Sequence, residues 1–291
     1  MYSPLLLATL LSVCFCLTPI VTLHGIVDTA SSMDELVDLI SKHYNPDVYI
    51  HNAEIGNGFW DSILKPCWDQ VDLLHDRLKS DSKLSDGFHA IAHSQGSLLM
   101  RGYIMKYNDP PVLSFTSLAG PQNGVFGIPK VLAPWLSDLI AKIPYSPWVQ
   151  NAFSFAQYWR DPHSLDVFVQ KSMYLSEINN EKQFKHEFKV NFERLKFLLL
   201  FYSVDDEVII PPESGTFSGF LRDSSKEIVP MNQTNLYVNN LFGLRSLDES
   251  HKLKVVRLSE LKHNDFKSEK FLPYLKKFVF PMWFDFDFKK F

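Results

Sequence analysis

The stretch FHAIAHSQGSLLM, residues 88–100, places a serine between an apolar run and a helical pattern. Residues 88–92 have the length and composition of a buried strand, and the apolar residues after the serine recur at helical spacing. Ala92 and Gly96 stand two positions on either side of Ser94, where bulky side chains would collide as the backbone reverses. The pattern therefore predicts a strand, a tight turn and a helix, with the Ser94 hydroxyl raised above the edge of a sheet.

The serine pattern alone carries little weight. A small residue followed by x-Ser-x-Gly is expected by chance about 0.2 times in a chain of this length. The alternative is an ordinary serine in a helix-capping turn, so the rest of the chain has to decide between the two.

Composition limits the class of protein. The chain has 291 residues, of which 46% are hydrophobic and 14% aromatic, enough to bury a large core. The formal net charge is -4 and no long basic run occurs, which argues against a groove for nucleic acid.

The N-terminal segment reads as a targeting signal. Residues 1–16 form an apolar stretch of signal-peptide length, although a buried first strand is the alternative. Cleavage near Cys16 would leave Cys67 as the one thiol, which provides neither a disulfide framework nor a metal-ligand set, and we expect no cofactor. In the secretory pathway the sequon at Asn232 would be glycosylated. We expect no stable membrane span after signal removal, and the sequence does not determine the oligomeric state.

Strand-like and helical runs alternate from residue 19 to the end, which predicts an α/β protein with a mostly parallel central sheet. Residues 17–291 are expected to form one domain, with a helical, aromatic-rich cap inserted at about 121–190. Ser32 and Glu35 predict a capping box at the first helix. The terminal aromatic segment, residues 280–291, is either a packed terminal element or a membrane-touching tail. Predicted strands lie at 19–25, 47–56, 88–92, 111–120, 194–203 and 252–261, and predicted helices at 31–44, 67–78 and 97–107.

A nucleophilic serine needs an imidazole to take its proton and a carboxylate to orient that imidazole. In sheets of this kind the order along the chain is serine, acid, histidine, each after a different strand. The loop after strand 194–203 contains two aspartates, and the spacing to the following isoleucine and proline favours Asp206 over Asp205. His263 follows the last strand, whereas His251 precedes it at the opposite edge of the sheet. His263 is therefore the predicted base.

Attack by the serine would leave a negative charge on the carbonyl oxygen of the substrate, and this oxyanion requires N–H donors. The backbone amides of Ile26, after the first strand, and Gln95, after the nucleophile, are in position to provide them. His93 is expected to point away from the Ser94 hydroxyl in a structural role. Glu54 and Asp28, carboxylates near the same edge, are expected to be merely solvated.

Six stretches, in order from residue 19 onwards, resemble the palmitoyl-protein thioesterases. They are LHGIVDTASS (23–32), HSQGSLLMRGYI (93–104), SLAGPQNGVFGIP (117–129), QYWRDPHSLDVF (157–168), VDDEVIIPPESGTFSGF (204–220) and LKHNDF (261–266). The resemblance implies an α/β-hydrolase fold, a lysosomal address reached by secretion, and hydrolysis of long-chain fatty acyl thioesters. It also implies that Ser94, Asp206 and His263 form the triad. Segments 66–71, 144–159 and 204–211 look closer to the second, acyl-CoA-type branch of that family.

The resemblance implies an acyl substrate, and the aromatic cap suggests an apolar groove for it. Its candidate lining residues are Phe126, Trp135, Trp148, Phe153 and Trp159. Two other functions remain open on the residues alone: a carboxylester lipase or phospholipid acyl hydrolase, and an acyl-binding protein without turnover. The second usually lacks a triad residue, and here all three candidates are present.

Overall fold

The computed structural model of the chain describes residues 17–127 and 142–288. The expected signal peptide, residues 1–16, and Trp135 of the expected groove lie outside the described residues. A six-stranded parallel sheet in the order β2-β1-β3-β4-β5-β8 forms the centre, and β6 and β7 form a separate antiparallel pair. The strands are β1 (Ile20–Leu23), β2 (Ile50–Ala53), β3 (Phe88–His93), β4 (Val112–Leu118), β5 (Phe197–Ser203), β6 (Gly219–Phe220), β7 (Ile228–Val229) and β8 (Leu253–Leu258).

Helices cover both faces of this sheet. They are α1 (Asp34–His43), α2 (Phe59–Leu64), α3 (Cys67–Ser80), α4 (Gln95–Lys106), α5 (Pro147–Ala152), α6 (Leu165–Lys171), α7 (Leu175–Ile178), α8 (His186–Glu193), α9 (Asn235–Val238), α10 (Leu244–Glu249), α11 (Leu272–Tyr274) and α12 (Phe280–Phe288). Among the described helices, none is long and apolar enough to cross a membrane.

Side chains alternate between two cores on opposite faces of the sheet. Along β5, Leu198 and Leu200 join the core under α3 and α4, whereas Leu199 and Phe201 join the core under α1 and α12. Strands buried on both faces read as continuous apolar runs, which is why the period-two signal is absent from their sequence. The predicted α/β class and its parallel sheet are confirmed.

The structure contradicts the prediction for the start of the first helix, and it decides between the two alternatives for the terminal segment. Helix α1 begins after a 3-10 turn with Met33 at its N-cap and no side-chain cap bond, so the predicted capping box is wrong. The Glu35 carboxylate instead accepts a hydrogen bond from the Glu269 N–H at 2.7 Å. The terminal segment through Phe288 is a packed helix: Trp283 is fully buried and lies edge-on to Tyr44, with 5.5 Å between ring centroids.

The terminal helix offers a matched pair of aromatic residues for a stability test. Trp283 is fully buried, whereas its neighbour Phe284 is 53% exposed. We expect Trp283→Ala to lower the free energy of unfolding by about 3–5 kcal/mol, because it leaves a large cavity under the sheet. Phe284→Ala should cost about 1 kcal/mol or less, since it vacates little buried volume. Urea titrations of both variants measure the difference, and equal losses would contradict a packed terminal helix.

Candidate active site

The backbone at Ser94 is held in an uncommon conformation. Ser94 has φ +54° and ψ -130°, between the end of β3 and the start of α4. A non-glycine residue with positive φ is sterically costly and persists where its surroundings fix it. Here the Ser94 N–H donates to the Leu118 carbonyl on β4 at 2.9 Å. The predicted strand, tight turn and helix are therefore all present.

Small residues allow this turn to lie against β1. A Cβ atom on Gly96 would lie 2.2 Å from the His24 carbonyl oxygen, and one on Gly25 would lie 2.9 Å from the Ser94 Cβ. A carbonyl oxygen and a Cβ atom are both held by the backbone and cannot yield to such contacts, so both positions require glycine. The Ser97 hydroxyl donates to the Ala92 carbonyl at 2.5 Å, which ties the start of α4 to the end of β3.

An aspartate and a histidine converge beside this turn. Asp206 Oδ2 lies 2.8 Å from His263 Nδ1, and both side chains are almost fully buried. The other carboxylate oxygen, Oδ1, accepts from the N–H groups of Val208 at 2.8 Å and Ile209 at 3.0 Å. The carboxylate therefore has a fixed orientation, and it can hold the imidazole in one tautomer.

Asp205 and His251, the alternative acid and the alternative base, lie elsewhere. Asp205 is exposed, and its carboxylate accepts from the Glu260 N–H at 2.7 Å. His251 is exposed just before β8. The structure thus pairs Asp206 with His263, as the sequence favoured, while their catalytic role stays a prediction.

Ser94 and His263 line one cavity of about 450 Å³ at the carboxyl edge of the sheet. Gly25 and Ile26 line it as well, which places the loop after β1 beside the serine. Neither the Ile26 N–H nor the Gln95 N–H donates a hydrogen bond to another described group. Such N–H groups beside a nucleophile are suited to stabilising an oxyanion.

His93 contacts the backbone of His263, which is in keeping with the structural role expected of it. Its Nε2 lies 2.9 Å from the His263 carbonyl oxygen, and the two imidazole centroids are 4.6 Å apart. Since a carbonyl only accepts, His93 Nε2 carries the proton and holds the backbone of His263. The residue also lines the cavity that Ser94 lines.

The sequence did not point to an ion pair on the rim of this cavity. Lys267 Nζ lies 2.5 Å from Asp28 Oδ2, so Asp28 is paired rather than merely solvated. The same expectation is wrong for Glu54, whose Oε1 lies 2.5 Å from His24 Nε2. The Asp28–Lys267 pair joins the loop after β1 to the 3-10 helix His263–Lys267. The only sequence signal was that Lys267 follows His263 by four residues, about one turn of helix.

The aromatic candidates for the acyl groove are dispersed. Phe153 and Trp159 are buried, Phe126 is half-buried and Trp148 is 62% exposed. These four residues are described by the structure, and none of them lines the cavity that holds Ser94. Their contact with an acyl chain stays a prediction. Asn232 is exposed, as a glycosylation acceptor must be, and its modification also stays a prediction.

The parallel sheet, the strained serine and the acid-histidine pair define an α/β-hydrolase. A similar solved structure is the monoacylglycerol lipase of Paleococcus ferrophilus, with a TM-score of 0.50 and 12% identity over 91% of this chain and 95% of that one. This likeness supports the fold alone.

Sequence comparison identifies the family. The profile of the palmitoyl protein thioesterase family matches residues 19–263. Palmitoyl-protein thioesterase 3 of Dictyostelium discoideum is 38% identical over 95% of this chain and 96% of its own length. The lysosomal thioesterase PPT2 homolog of Drosophila melanogaster is 32% identical, with 93% and 96% covered, and palmitoyl-protein thioesterase 1 of Caenorhabditis elegans is 31% identical, with 81% and 83% covered. The chain belongs to the palmitoyl protein thioesterase family and is a thioester hydrolase.

The buried imidazole of His93 makes stability depend on pH. Burial lowers its pKa well below the usual 6.5, and the nearby His263, Lys267 and His24 lower it further. Below pH 6.5 His93 is protonated in the unfolded chain but stays neutral in the native chain. The free energy of unfolding therefore falls as the pH falls. Replacing His93 with Phe removes this term, which amounts to at most about 1.4 kcal/mol per pH unit.

Urea unfolding at pH 7.5 and pH 5.0 checks this expectation. The wild-type protein should lose more stability between the two values than His93→Phe, whatever the absolute stability of the variant. Equal losses would mean that His93 protonates freely in the native state.

Proposed function

We propose that this thioesterase hydrolyses long-chain fatty acyl thioesters through an acyl-enzyme on Ser94. In the first step Oγ of Ser94 attacks the acyl carbon while His263 Nε2 takes the hydroxyl proton; the C–S bond breaks, the thiolate leaves, and the imidazolium gives its proton to the thiolate or to solvent. In the second step water attacks the acyl-enzyme while the neutral His263 takes a proton from it; the bond between the acyl carbon and Oγ breaks, His263 returns the proton to Ser94, and the fatty acid departs. Asp206 orients His263 throughout, and the Ile26 and Gln95 N–H groups stabilise the oxyanion.

One observation supports this proposal more than any other. The Asp206–His263 pair, 2.8 Å apart, reaches the same cavity as the strained Ser94. A hydrolase of thioesters also needs little help at the leaving group, because a thiol with a pKa of about 8.5 departs readily as a thiolate. A single base that acts in both steps therefore suffices.

We propose that the cap contributes the acyl-binding surface. Its rings form edge-on pairs, Phe126 with Trp159 at 5.3 Å and Trp148 with Phe153 at 6.0 Å between centroids. Such rings offer a large apolar area to a saturated chain. Trp135, outside the described residues, belongs to the same proposal.

We propose that the protein reaches the lysosome by the secretory pathway, with removal of residues 1–16 and glycosylation at Asn232. Support comes from the relative from Drosophila melanogaster, whose name describes a lysosomal thioesterase. The exposed position of Asn232 is compatible with this route.

The two adjacent aspartates give a matched test of the triad. We expect Asp206→Asn to lower kcat by about 10³- to 10⁴-fold, because the imidazole then takes the wrong tautomer. Asp205→Asn should stay within a few-fold of wild type, since within the described residues its carboxylate hydrogen-bonds to the Glu260 N–H and to no group of the proposed triad. Ser94→Ala, with an unchanged melting temperature, should have no turnover; near-normal hydrolysis by that variant would sink the proposal.

Substrate comparison tests the proposed acyl carrier. Palmitoyl-CoA should be hydrolysed faster than the matching oxygen ester, because an alkoxide is a much poorer leaving group than a thiolate. If the chain acts as the second branch does, palmitoylated folded proteins should react slowly. The three substrates are compared at matched concentration, at pH 5 and pH 7. Preference for the oxygen ester would favour a carboxylester lipase.

A series of acyl-CoA chain lengths serves as the control for this comparison. Each methylene that enters an apolar groove should raise kcat/KM about fourfold, the equivalent of about 0.8 kcal/mol, until the groove is full. A flat profile would show that the cap binds no acyl chain and that the carrier alone sets the preference.

A further inference from the structure

The loop that supplies the proposed Ile26 donor has a strained backbone. The next residue, Val27, has φ +61°. For a β-branched side chain this left-handed region is a true outlier, and it persists only where neighbouring groups hold it. The direction of the Ile26 N–H therefore depends on what holds Val27.

The hydroxyl of Ser62 holds Val27 in place. Ser62 lies on α2 and is fully buried. Its Oγ accepts from the Val27 N–H at 3.0 Å and donates to the Phe59 carbonyl at 2.6 Å. The donated bond fixes the rotamer, so the lone pair stays directed at Val27.

The main-chain carbonyl of the same residue reaches the nucleophile turn. The Ser62 oxygen accepts from Gln95 Nε2 at 2.8 Å and lies 2.7 Å from Ser154 Oγ. Gln95 Oε1 accepts in turn from the Tyr158 hydroxyl at 2.9 Å. All of these groups are buried. The residue that carries the second proposed donor, Gln95, is thus tied to Ser62 as well.

We propose that Ser62 is a positioning residue that fixes both oxyanion donors: its hydroxyl fixes the loop of Ile26 and its carbonyl fixes Gln95. It touches no reacting atom and acts through these two contacts. The proposal rests on the proposed Ser94 mechanism. It predicts that loss of the hydroxyl weakens stabilisation of the tetrahedral state and leaves binding of the ground state almost unchanged.

Ser62→Ala is the direct test, with Ser214→Ala as its matched control. Ser214 is also fully buried, and its Oγ likewise accepts from a backbone N–H, that of Asn123 at 3.1 Å, and donates to a carbonyl, that of Gly124 at 2.5 Å. None of its hydrogen bonds reaches the oxyanion loop. Each substitution removes one accepted and one donated hydrogen bond of a buried hydroxyl. A general loss of packing should therefore affect both variants equally.

Three readouts separate positioning from stability. Turnover is measured with dodecanoyl-CoA. Dodecylboronic acid forms a tetrahedral adduct with a nucleophilic serine and so probes the oxyanion hole, whereas dodecanoate probes the ground state. We expect Ser62→Ala to lower kcat and boronate affinity by about tenfold each, less than the roughly 10²- to 10³-fold cost of deleting an oxyanion donor. KM and dodecanoate affinity should stay within twofold, and Ser214→Ala should keep wild-type values.

Further variants keep each part of the proposal testable. Ser62→Cys keeps the shape of the side chain, with a slightly larger sulfur atom that accepts hydrogen bonds weakly, so it should show the same pattern if Ser62→Ala does not fold. Gln95→Met keeps the Gln95 N–H but loses its bond to the Ser62 carbonyl, and boronate affinity should again fall selectively. Equal weakening of boronate and dodecanoate, or unchanged kcat in both Ser62 variants, would overturn the proposal. Activity in Ser94→Ala would instead refute the mechanism on which it rests.

Discussion

The backbone reversal at Ser94 is the constraint on which the other parts of the site depend. Its positive φ turns the chain from β3 directly into α4, and Gly96 then lies under the carbonyl group of His24 at the end of β1. Any larger residue at that position would push β1 and α4 apart. One close contact therefore sets the height of the serine and also the course of the loop that follows β1. The same backbone contact therefore positions the proposed nucleophile and the proposed oxyanion donors.

The parallel sheet determines which other loops reach this point. In such a sheet the carboxyl ends of all strands lie at one edge, so residues far apart in sequence meet there. Asp206 follows β5 and His263 follows β8, the neighbouring strand. This is why chain order and strand position selected both residues from the sequence, and why His251, before β8, was excluded on the same ground.

The remaining parts of the site could not be predicted, because they depend on side-chain contacts across long sequence separations. Helix α2 is six residues long, and nothing in its pattern indicates that Ser62 reaches the loop after β1. Asp28 and Lys267 are separated by more than two hundred residues, and each alone resembles a solvated surface charge. The capping box failed for a related reason: Glu35 finds a tertiary partner in the Glu269 N–H instead of its own helix.

The identity of residue 95 illustrates how a polar network can specify geometry inside an apolar core. A buried amide costs free energy unless all its groups are paired. Gln95 meets this condition: Nε2 donates to the Ser62 carbonyl and the Gln70 side chain, and Oε1 lies within reach of the hydroxyls of Ser154 and Tyr158. An apolar residue of similar size would leave the Tyr158 hydroxyl and the Gln70 side-chain oxygen buried without this partner, whereas the Ser62 carbonyl and the Ser154 hydroxyl would still bond each other. Because each bond has a direction, the network admits one placement of α2, the segment Ser154–Tyr158 and the turn at Ser94, whereas apolar packing would tolerate several.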